Sequence, residues 1–343
     1  MKNALLSIAA LGTIVVGLVG CGSSTQPAGS TQNAGGSNGA QNDNLPVVDE
    51  AIFSPPSLGA FLPVIIEQQK LDVKNGIHIR FHELSPDAYN TEFASGQYPV
   101  GGSAAILSEG LRMNRGVKVS YVFNLFDFWG ALVTSDPSIK TLKDLQGKTI
   151  AAAKSTTNYA MFEYFAKKEG VDPSKLKIVN ADTQSLITYA LAGRADAVQL
   201  WEPGYSTLIY KYPTKFHLID FGLYKWKQYT GADKIPYLGV AVNQQWAQGH
   251  ADDIKKIYQT YVDAAKWVEA NPSEAAQFIA KTIPGGDATV IENLIRHMDR
   301  LAMDVQPAKD MEADINAVLK AGVSDGYLTS MPDSSIIYSG SLQ

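Results

Sequence analysis

Cysteine and histidine are scarce in this chain of 343 residues, which contains one cysteine and five histidines. The single cysteine, Cys21, has no partner for an internal disulfide bond. Among the histidines, only His78 and His82 lie close together in sequence, and as residues i and i+4 of a predicted strand they stand about 13 Å apart. That separation is too large for one metal ion, so we predict no metal site.

The sequence also lacks the short motifs of common enzymes. It contains no glycine-rich dinucleotide or phosphate loop, no Gly-x-Ser-x-Gly elbow and no His-Glu-x-x-His zinc motif. We therefore expect no catalytic residues, no enzyme activity and no cofactor. The formal net charge of -5 provides no basic surface for nucleic acid, and it does not favour electrostatic adhesion to an anionic membrane.

The N-terminus, by contrast, carries an export pattern. Lys2 precedes an apolar run at residues 5–19 that is too short to span a membrane comfortably, which is typical of a secretory signal peptide, here residues 1–20. The run ends at Leu18-Val19-Gly20-Cys21, which resembles the bacterial lipobox. The lipobox implies that Cys21 carries a diacylglycerol on its sulfur and a further acyl chain, such as palmitate, on its amine. The alternative is an ordinary signal peptide that happens to contain a cysteine.

An acylated Cys21 predicts a lipoprotein on the extracytoplasmic face of the cell membrane, which it contacts through its lipid anchor alone. Residues 22–44 are mostly Gly, Ser, Gln, Asn, Thr and Ala, a composition that buries too little apolar surface to offset its ordering entropy. We therefore predict a flexible linker at residues 21–45 between the anchor and a globular part.

Strands and helices alternate in the remaining chain. A helix is predicted to open near Ser57, because an apolar stripe of helical period follows it. This alternation predicts an α/β fold with mostly parallel sheets, followed after residue 238 by a helical tail. The predicted strands lie at residues 47–53, 77–81, 117–123, 149–152, 177–179 and 197–200.

Polar side chains follow the predicted strand at residues 149–152. Lys154, Ser155, Thr156, Thr157 and Asn158 come before a helix, whose first N–H groups lack partners within the helix and would face an oxyanion. Capping of that helix needs only one of the hydroxyl groups. Capping alone and contact with a ligand are the two interpretations of this motif.

A second motif follows the predicted strand at residues 197–200, where Trp201, Glu202 and Pro203 combine an aromatic side chain, a carboxylate and a rigid turn. An open α/β sheet binds its ligands at the carboxyl ends of its strands. Trp201 and Glu202 are therefore candidates for ligand contact, and a place in the hydrophobic core is the alternative for Trp201.

The order of these motifs along the chain resembles one family. Residues 196–203, with 142–148 before the strand and 154–157 after it, are similar to the solute-binding proteins of ABC importers for sulfonates, taurine, nitrate and thiamine precursors. This is the SsuA and THI5-like family. Residues 243–246 and the helical segment at 254–279 match the last third of that family, and the resemblance extends from residue 47 to residue 327.

The resemblance implies a two-lobed fold of the type II periplasmic-binding-protein kind, with the ligand cleft between the lobes and two crossing strands at the hinge. Lobe I would comprise residues 46–132 and 236–343, lobe II residues 133–235, and the crossings residues 131–133 and 237–239. The resemblance further implies a monomer that captures a small molecule by lobe closure. It would deliver that molecule unchanged to an ABC permease and its ATPase subunit.

The same resemblance implies which residues contact the ligand. Lobe I would contribute one segment after the first strand, one after the third strand of the family fold and one near the crossing, and lobe II would contribute two strand ends. They are Ser54, Pro56 and Ser57; Gly102, Ser103 and Ala104; Asp127, Phe128 and Trp129; Thr156 and Thr157; and Trp201 and Glu202.

The identity of the ligand stays open at this point, since Ser155 stands where relatives often have glycine and Tyr159 where many have histidine. Helix N-termini and hydroxyl groups favour a small organic anion, such as an alkanesulfonate, taurine or nitrate. Aromatic side chains favour a planar partner, such as a thiamine-precursor pyrimidine or another heterocycle. Two other classes are a pyrimidine-synthase-like enzyme, against which the export signal speaks, and a ligand sensor without transport.

Overall fold

The structure is a computed structural model that describes residues 45–183 and 185–343. The signal peptide, the acylated Cys21 and the linker that follows it lie outside the described residues. Within the described part, no helix is both long and apolar enough to cross a membrane. No group of three acidic, histidine or cysteine side chains is arranged there to hold a metal ion. Asn44–Gln343 forms one compact unit, which contains the described hydrophobic core, so we expect it to fold without the N-terminal segment.

The strands of the described residues form two sheets. The strands are β1 (Val47–Phe53), β2 (His78–Leu84), β3 (Val100–Ala105), β4 (Val119–Asp127), β5 (Ala131–Thr134), β6 (Thr149–Ala152), β7 (Lys177–Asn180), β8 (Ala197–Leu200), β9 (His217–Ile219), β10 (Pro236–Asn243) and β11 (Met303–Pro307). Three predicted strands have the bounds of β1, β6 and β8, and the other three overlap β2, β4 and β7. The patterns predict no strand at β3, β5, β9, β10 or β11, although β5 and β10 contain the crossings that the resemblance implies. β9 and β11 have no buried face along their length, so their sequences carry little strand signal.

Both sheets are mixed, so the prediction of mostly parallel sheets is wrong. The six-stranded sheet has the order β11-β4-β10-β3-β1-β2, and the five-stranded sheet has the order β7-β6-β8-β5-β9. β1 is parallel to β2 and β3, and β6 is parallel to β7 and β8. β10, β11 and β5 pair with their neighbours in antiparallel fashion. Hydrophobic periodicity indicates which face of a strand is buried, but not the direction of its neighbours.

The chain passes between the sheets twice. It leaves the six-stranded sheet after β4, which ends at Asp127, and returns to it at Pro236, which pairs with Asp127. The predicted crossings flank these passages, since residues 131–133 lie in β5 and residues 237–239 lie in β10. Residues 45–127 and 236–343 surround the six-stranded sheet and are called the first half below; residues 131–219 contain the five-stranded sheet and are called the second half.

Helices cover the sheets. The predicted apolar stripe after Ser57 is buried in a short 3-10 turn and α1, and the hydroxyl oxygen of Ser57 accepts a hydrogen bond from the N–H of Gly59. The helices are α1 (Phe61–Gln69), α2 (Leu71–Lys74), α3 (Pro86–Ser95), α4 (Ile106–Asn114), α5 (Thr157–Lys168), α6 (Leu186–Ala192), α7 (Gly204–Lys211), α8 (Trp226–Thr230), α9 (Gln244–Ala247), α10 (Ala251–Ala270), α11 (Pro272–Thr282), α12 (Ala288–Arg296), α13 (Met298–Leu301) and α14 (Glu312–Asp325).

The helical tail contacts both halves. α10 packs against α1 and α11 packs against α1, so the first half buries its apolar surface under these helices. α14 packs against α4 of the first half and also against α5 of the second, and α12 packs against α7. The tail therefore bridges the two halves at two places.

Candidate ligand-binding site

A cavity of about 160 Å³ lies between the two halves, and we call it the cleft. The wall from the first half consists of the end of β1, the turn into α1, the start of α3, β3 and α4. The wall from the second half consists mainly of the start of α5 and the end of β8. Most side chains with polar groups on these walls carry hydroxyls, which donate as well as accept hydrogen bonds.

The start of α5 faces the cleft with unused donors. Thr156 caps the helix, and its hydroxyl oxygen accepts a hydrogen bond from the N–H of Tyr159 at 3.3 Å. The first N–H groups of a helix have no acceptor inside it, and those of Thr157 and Asn158 find no backbone acceptor in the part of the chain that the structure describes. Thr156 thus caps α5, and Ser155, Thr156, Thr157 and Asn158 line the cleft. Contact of this motif with a ligand stays a prediction.

Arg112 supplies a positive charge to the opposite wall. It lies on α4, lines the cleft and is 7% exposed. Its guanidinium donates hydrogen bonds to Glu109 and, at 2.6 Å, to Asn90, and it stacks over the ring of Tyr89 with 5.5 Å to the centroid. Burial lowers the pKa of Arg112 but the neighbouring Glu109 raises it, with a net rise, so the guanidinium stays charged.

One contact places Arg112 and the start of α5 on the same cavity. Ser108 precedes Arg112 by four residues, so both lie on one face of α4. The hydroxyl oxygen of Ser108 is 3.3 Å from that of Thr157, the first residue of α5. A cation from one half and a helix N-terminus from the other therefore line the same cavity.

Sequence reasoning missed Arg112, because an arginine on a helix ordinarily lies on the solvent face. The available signal was the spacing of Glu109 and Arg112, which stand three residues apart on α4 and can form an ion pair. Glu109 is fully buried and does not line the cleft, so it holds Arg112 from behind. Asn158 belongs to the 154–158 motif but is not among the residues that the resemblance implies as ligand contacts. Its side-chain amide donates a hydrogen bond to the Tyr237 hydroxyl at 2.9 Å and so links the two halves at the cleft.

Four predicted residues of the first half line the cleft, namely Ser54, Pro56, Ser57 and Ser103. The Ser103 hydroxyl oxygen accepts a hydrogen bond from the N–H of Phe53 at 2.8 Å, and that of Ser57 accepts from Gly59. Each oxygen thus satisfies the local backbone, while each hydroxyl hydrogen is free to rotate toward a ligand.

Gly102 and Ala104 do not line the cleft, although Ser103 between them does. These residues lie within β3 rather than after it, and alternate residues of a strand point to opposite faces. Ser103 and Ala105 share the face of the cleft. Gly102 faces the other side, where a Cβ would meet Glu50 Oε1 at 1.9 Å. Its role in the structure is to leave room for that buried carboxyl group.

Asp127, Phe128 and Trp129 lie at the passage between the halves and do not line the cleft. Burial raises the pKa of Asp127 to about 7, with a further rise from the neighbouring Asp304. Phe128 packs edge-on against Tyr237 at 5.7 Å between ring centroids, and Trp129 contacts Tyr205 at 4.9 Å. These side chains pack where the chain passes between the two halves, and the structure does not bring them to the cleft with the other predicted residues.

Trp201 and Glu202 both line the cleft after β8. Glu202 is 1% exposed, and its carboxylate accepts hydrogen bonds from the Ser206 N–H at 3.0 Å and the Ser206 hydroxyl at 2.9 Å. Arg300 of the first half lies 3.8 Å from the same carboxylate. Burial raises the pKa of Glu202 to about 7 against these opposing contacts. Glu202 thus fixes the start of α7. Contact of Trp201 and Glu202 with a ligand stays a prediction.

Taken together, the cleft offers one buried cation, several hydroxyls and a helix N-terminus from two separate walls. This set is suited to a small anion, because charge-assisted hydrogen bonds and helix N-termini both stabilise negative charge.

A curated relative and several solved structures are similar to this chain. A protein of Bacillus subtilis (strain 168), named for binding aliphatic sulfonates, is 21% identical over 313 residues, which cover 83% of this chain and 86% of the relative. The crystal structure of the periplasmic aliphatic sulphonate binding protein SsuA from Escherichia coli has a TM-score of 0.67 at 16% identity, covering 84% of this chain and 96% of that chain.

The alkanesulfonate-binding protein SsuA from Xanthomonas axonopodis pv. citri, solved with bound MOPS, has a TM-score of 0.69 at 17% identity and covers 85% of this chain and 97% of that chain. At such identities the structures show a shared fold, which confirms the predicted α/β architecture of periplasmic binding proteins. The model of the family described as NMT1/THI5 like matches residues 73–275, which is more than half of the chain. The chain therefore belongs to the NMT1/THI5-like family, as the resemblance of its motifs indicated.

Proposed function

We propose that this protein is the extracytoplasmic solute-binding component of an ABC importer and that it captures a small organic anion of the sulfonate type. The observation that carries the proposal is that Arg112 and the start of α5 line the same cleft, each from a different half. The relatives named above for sulfonate binding support the same ligand class.

The mechanism is a population shift. Lobe I (residues 46–132 and 236–343) would supply Arg112, and lobe II (residues 133–235) would supply the N–H groups of α5. A ligand contacts both sets only while the lobes are together, so binding favours the closed form. The permease and its ATPase subunit recognise that form and accept the ligand unchanged. The protein binds its ligand without making or breaking a bond.

The anchor is part of the same proposal. Acylation of Cys21 holds the protein on the extracytoplasmic face of the membrane, and residues 22–44 let the monomer reach the permease. Cys21→Ser removes the thiol that is acylated, and we expect the variant in the soluble fraction. A variant that stays with the membrane would show that another segment anchors the chain.

The ligand class is tested by titration calorimetry on Asn44–Gln343 with ethanesulfonate, taurine, nitrate and an aminopyrimidine. We expect heat from the sulfonates and none from the aminopyrimidine. Binding of the aminopyrimidine alone would instead support import of a thiamine precursor. Absence of binding by every compound would contradict the proposed anion site.

A further inference from the structure

A second cavity of about 160 Å³ adjoins the cleft, and we call it the apolar chamber. Its second-half walls are α6, the end of β8 and the start of α7, and its first-half wall is α12 with the turn before it. The chamber thus lies where α12 packs against α7, at one of the two bridges between the halves.

Hydrocarbon dominates the walls of the apolar chamber. Leu186, Leu200, Val290 and Ile291 line it and are each no more than 3% exposed, and Ile187 adds a half-buried side chain. The charged members of the lining are Lys211, which is exposed, Asp287 at the cap of α12, and the buried Glu202, whose carboxylate is engaged by Ser206. A cavity lined in this way favours an apolar occupant over water.

The cleft and the apolar chamber are adjacent. Pro56, Thr183, Trp201 and Glu202 line both of them, so the two spaces meet at these four residues. A ligand that fills both would lie beside Trp201, with one end near Arg112 and the start of α5 and the other end among the leucines and isoleucines.

The volume of the apolar chamber indicates how large a hydrocarbon group it can hold. A protein cavity of about 150 Å³ lined by aliphatic side chains holds a benzene molecule. A chamber of about 160 Å³ therefore matches a six-carbon group, either a ring or an alkyl chain.

We propose that the apolar chamber receives the hydrocarbon tail of the ligand, which makes the substrate class an amphipathic organic anion with a tail of about six carbons. For the head group this inference rests on the proposed function, whereas the tail site stands on the geometry of the chamber. Its walls come from both halves, so a tail in the chamber adds a second set of contacts that exist only while the halves are together.

The test is a chain-length series measured by calorimetry on Asn44–Gln343, with ethane-, butane-, hexane- and decanesulfonate, and with the matching alkyl carboxylates and alkylamines. Each methylene buried in the chamber should tighten binding by about fourfold. The gain should continue to hexane and cease beyond it. Affinities that do not change from ethane to hexane in a series that binds would overturn the tail site.

Ile187→Trp places a large ring in the apolar chamber. We expect its dissociation constant for hexanesulfonate to rise at least tenfold, while that for ethanesulfonate stays within twofold. Thr188→Trp adds the same ring to the next residue of α6, which is exposed and does not line the chamber, and should match the wild type. Equal losses for the short and the long ligand in Ile187→Trp would contradict the assignment.

The two proposals fail in different ways. If the sulfonates and carboxylates do not bind but the alkylamines show the chain-length gain, the tail site stands and the anionic head is wrong. If ethanesulfonate binds and longer chains gain nothing, the proposed function stands and the tail site is wrong. The tail site is also wrong if affinity does not rise with chain length for any of the three head groups, or if Ile187→Trp leaves such a rise unchanged.

Discussion

The two walls of the cleft can stabilise a negatively charged ligand in different ways. The first half provides a positive charge on one buried guanidinium, that of Arg112, which Glu109, Asn90 and the ring of Tyr89 hold in place. The second half presents no cationic side chain among the described residues that line the cleft, and offers the N–H groups and hydroxyls at the start of α5 instead. A full charge can attract a ligand to the open protein, whereas short-range donors act only after the walls meet. We therefore expect Arg112 to contribute mainly to attraction of the ligand and the donors of α5 mainly to closure.

The largest expected effect comes from the charged wall. Arg112→Met combined with Glu109→Gln removes the cation without leaving a buried carboxylate unpaired. Because a charge-assisted hydrogen bond is lost, we expect affinity for ethanesulfonate to fall by about 100-fold by calorimetry. Arg112→Lys retains the charge and should lose less. Affinity within threefold of the wild type in the double variant would show that Arg112 does not contact the ligand.

The support behind the charged wall can be tested through pH. Glu50 is buried beneath Gly102, where burial raises its pKa from 4.5 to about 8 despite the hydrogen bond that its carboxyl accepts from the Tyr261 hydroxyl. A carboxyl group with a raised folded-state pKa stabilises the fold below its unfolded pKa, and this stability is lost as the pH rises toward 8.

We therefore expect the free energy of unfolding of the wild type to fall between pH 4.5 and pH 8 relative to that of Glu50→Gln, by more than about 1.4 kcal/mol, the equivalent of one pKa unit. Urea unfolding of both proteins at pH 5 and pH 9 measures the difference. Glu202 and Asp127 titrate in both proteins, so their contributions cancel. Parallel pH profiles would mean that Glu50 ionises as it does in the unfolded chain.

A smaller effect is expected from the wall of donors. Thr156→Ala removes the cap of α5 and a hydroxyl of the cleft, so we expect a loss of about 1 kcal/mol in stability together with an approximately fivefold loss of affinity. Asn243→Ala is the matched control, since Asn243 caps α9 and does not line the cleft. It should lose similar stability and keep its affinity. Unchanged affinity in both variants would show that Thr156 caps α5 and does not contact the ligand.

The smallest effect is expected from Lys154, the cation that directly precedes the cleft-lining residues 155–158 at the start of α5. Lys154 is exposed and does not line the cleft, and its ammonium lies 6.0 Å from the centroid of the Tyr159 ring. We expect Lys154→Ala to change affinity by less than about twofold, with the difference vanishing in 1 M salt, where the Debye length is about 3 Å. A loss of affinity as large as that of the Arg112 variant would show that a cation acts on the ligand from each wall, and the two walls would then not differ in this respect.

The sequence predicted those elements whose side chains repeat a clear burial pattern. β1, β6 and β8 are continuous or alternating apolar runs, and the stripe after Ser57 has the period of a helix, so their positions follow from periodicity.

The candidate site was predictable where a motif ends a strand, as at Thr156, Thr157 and Trp201, since strand ends face the cleft in this architecture. It was not predictable at Gly102 and Ala104, because the strand register decides which side chains reach the cavity. Arg112 could not be placed because its burial depends on Glu109 and on Asn90 from another helix, and such a contact appears only in three dimensions.

The central claim is that an anion draws the two halves together, and one distance tests it most directly. Cys21 is the only cysteine of the chain, so Asn44–Gln343 with cysteines introduced at Thr91 on α3 and Thr188 on α6 carries two spin labels and no others. Double electron–electron resonance should give a shorter and narrower distance distribution with saturating ethanesulfonate than without it, and no such shift in the Arg112→Met, Glu109→Gln variant. An identical distribution with and without a sulfonate that calorimetry shows to be bound would contradict the account.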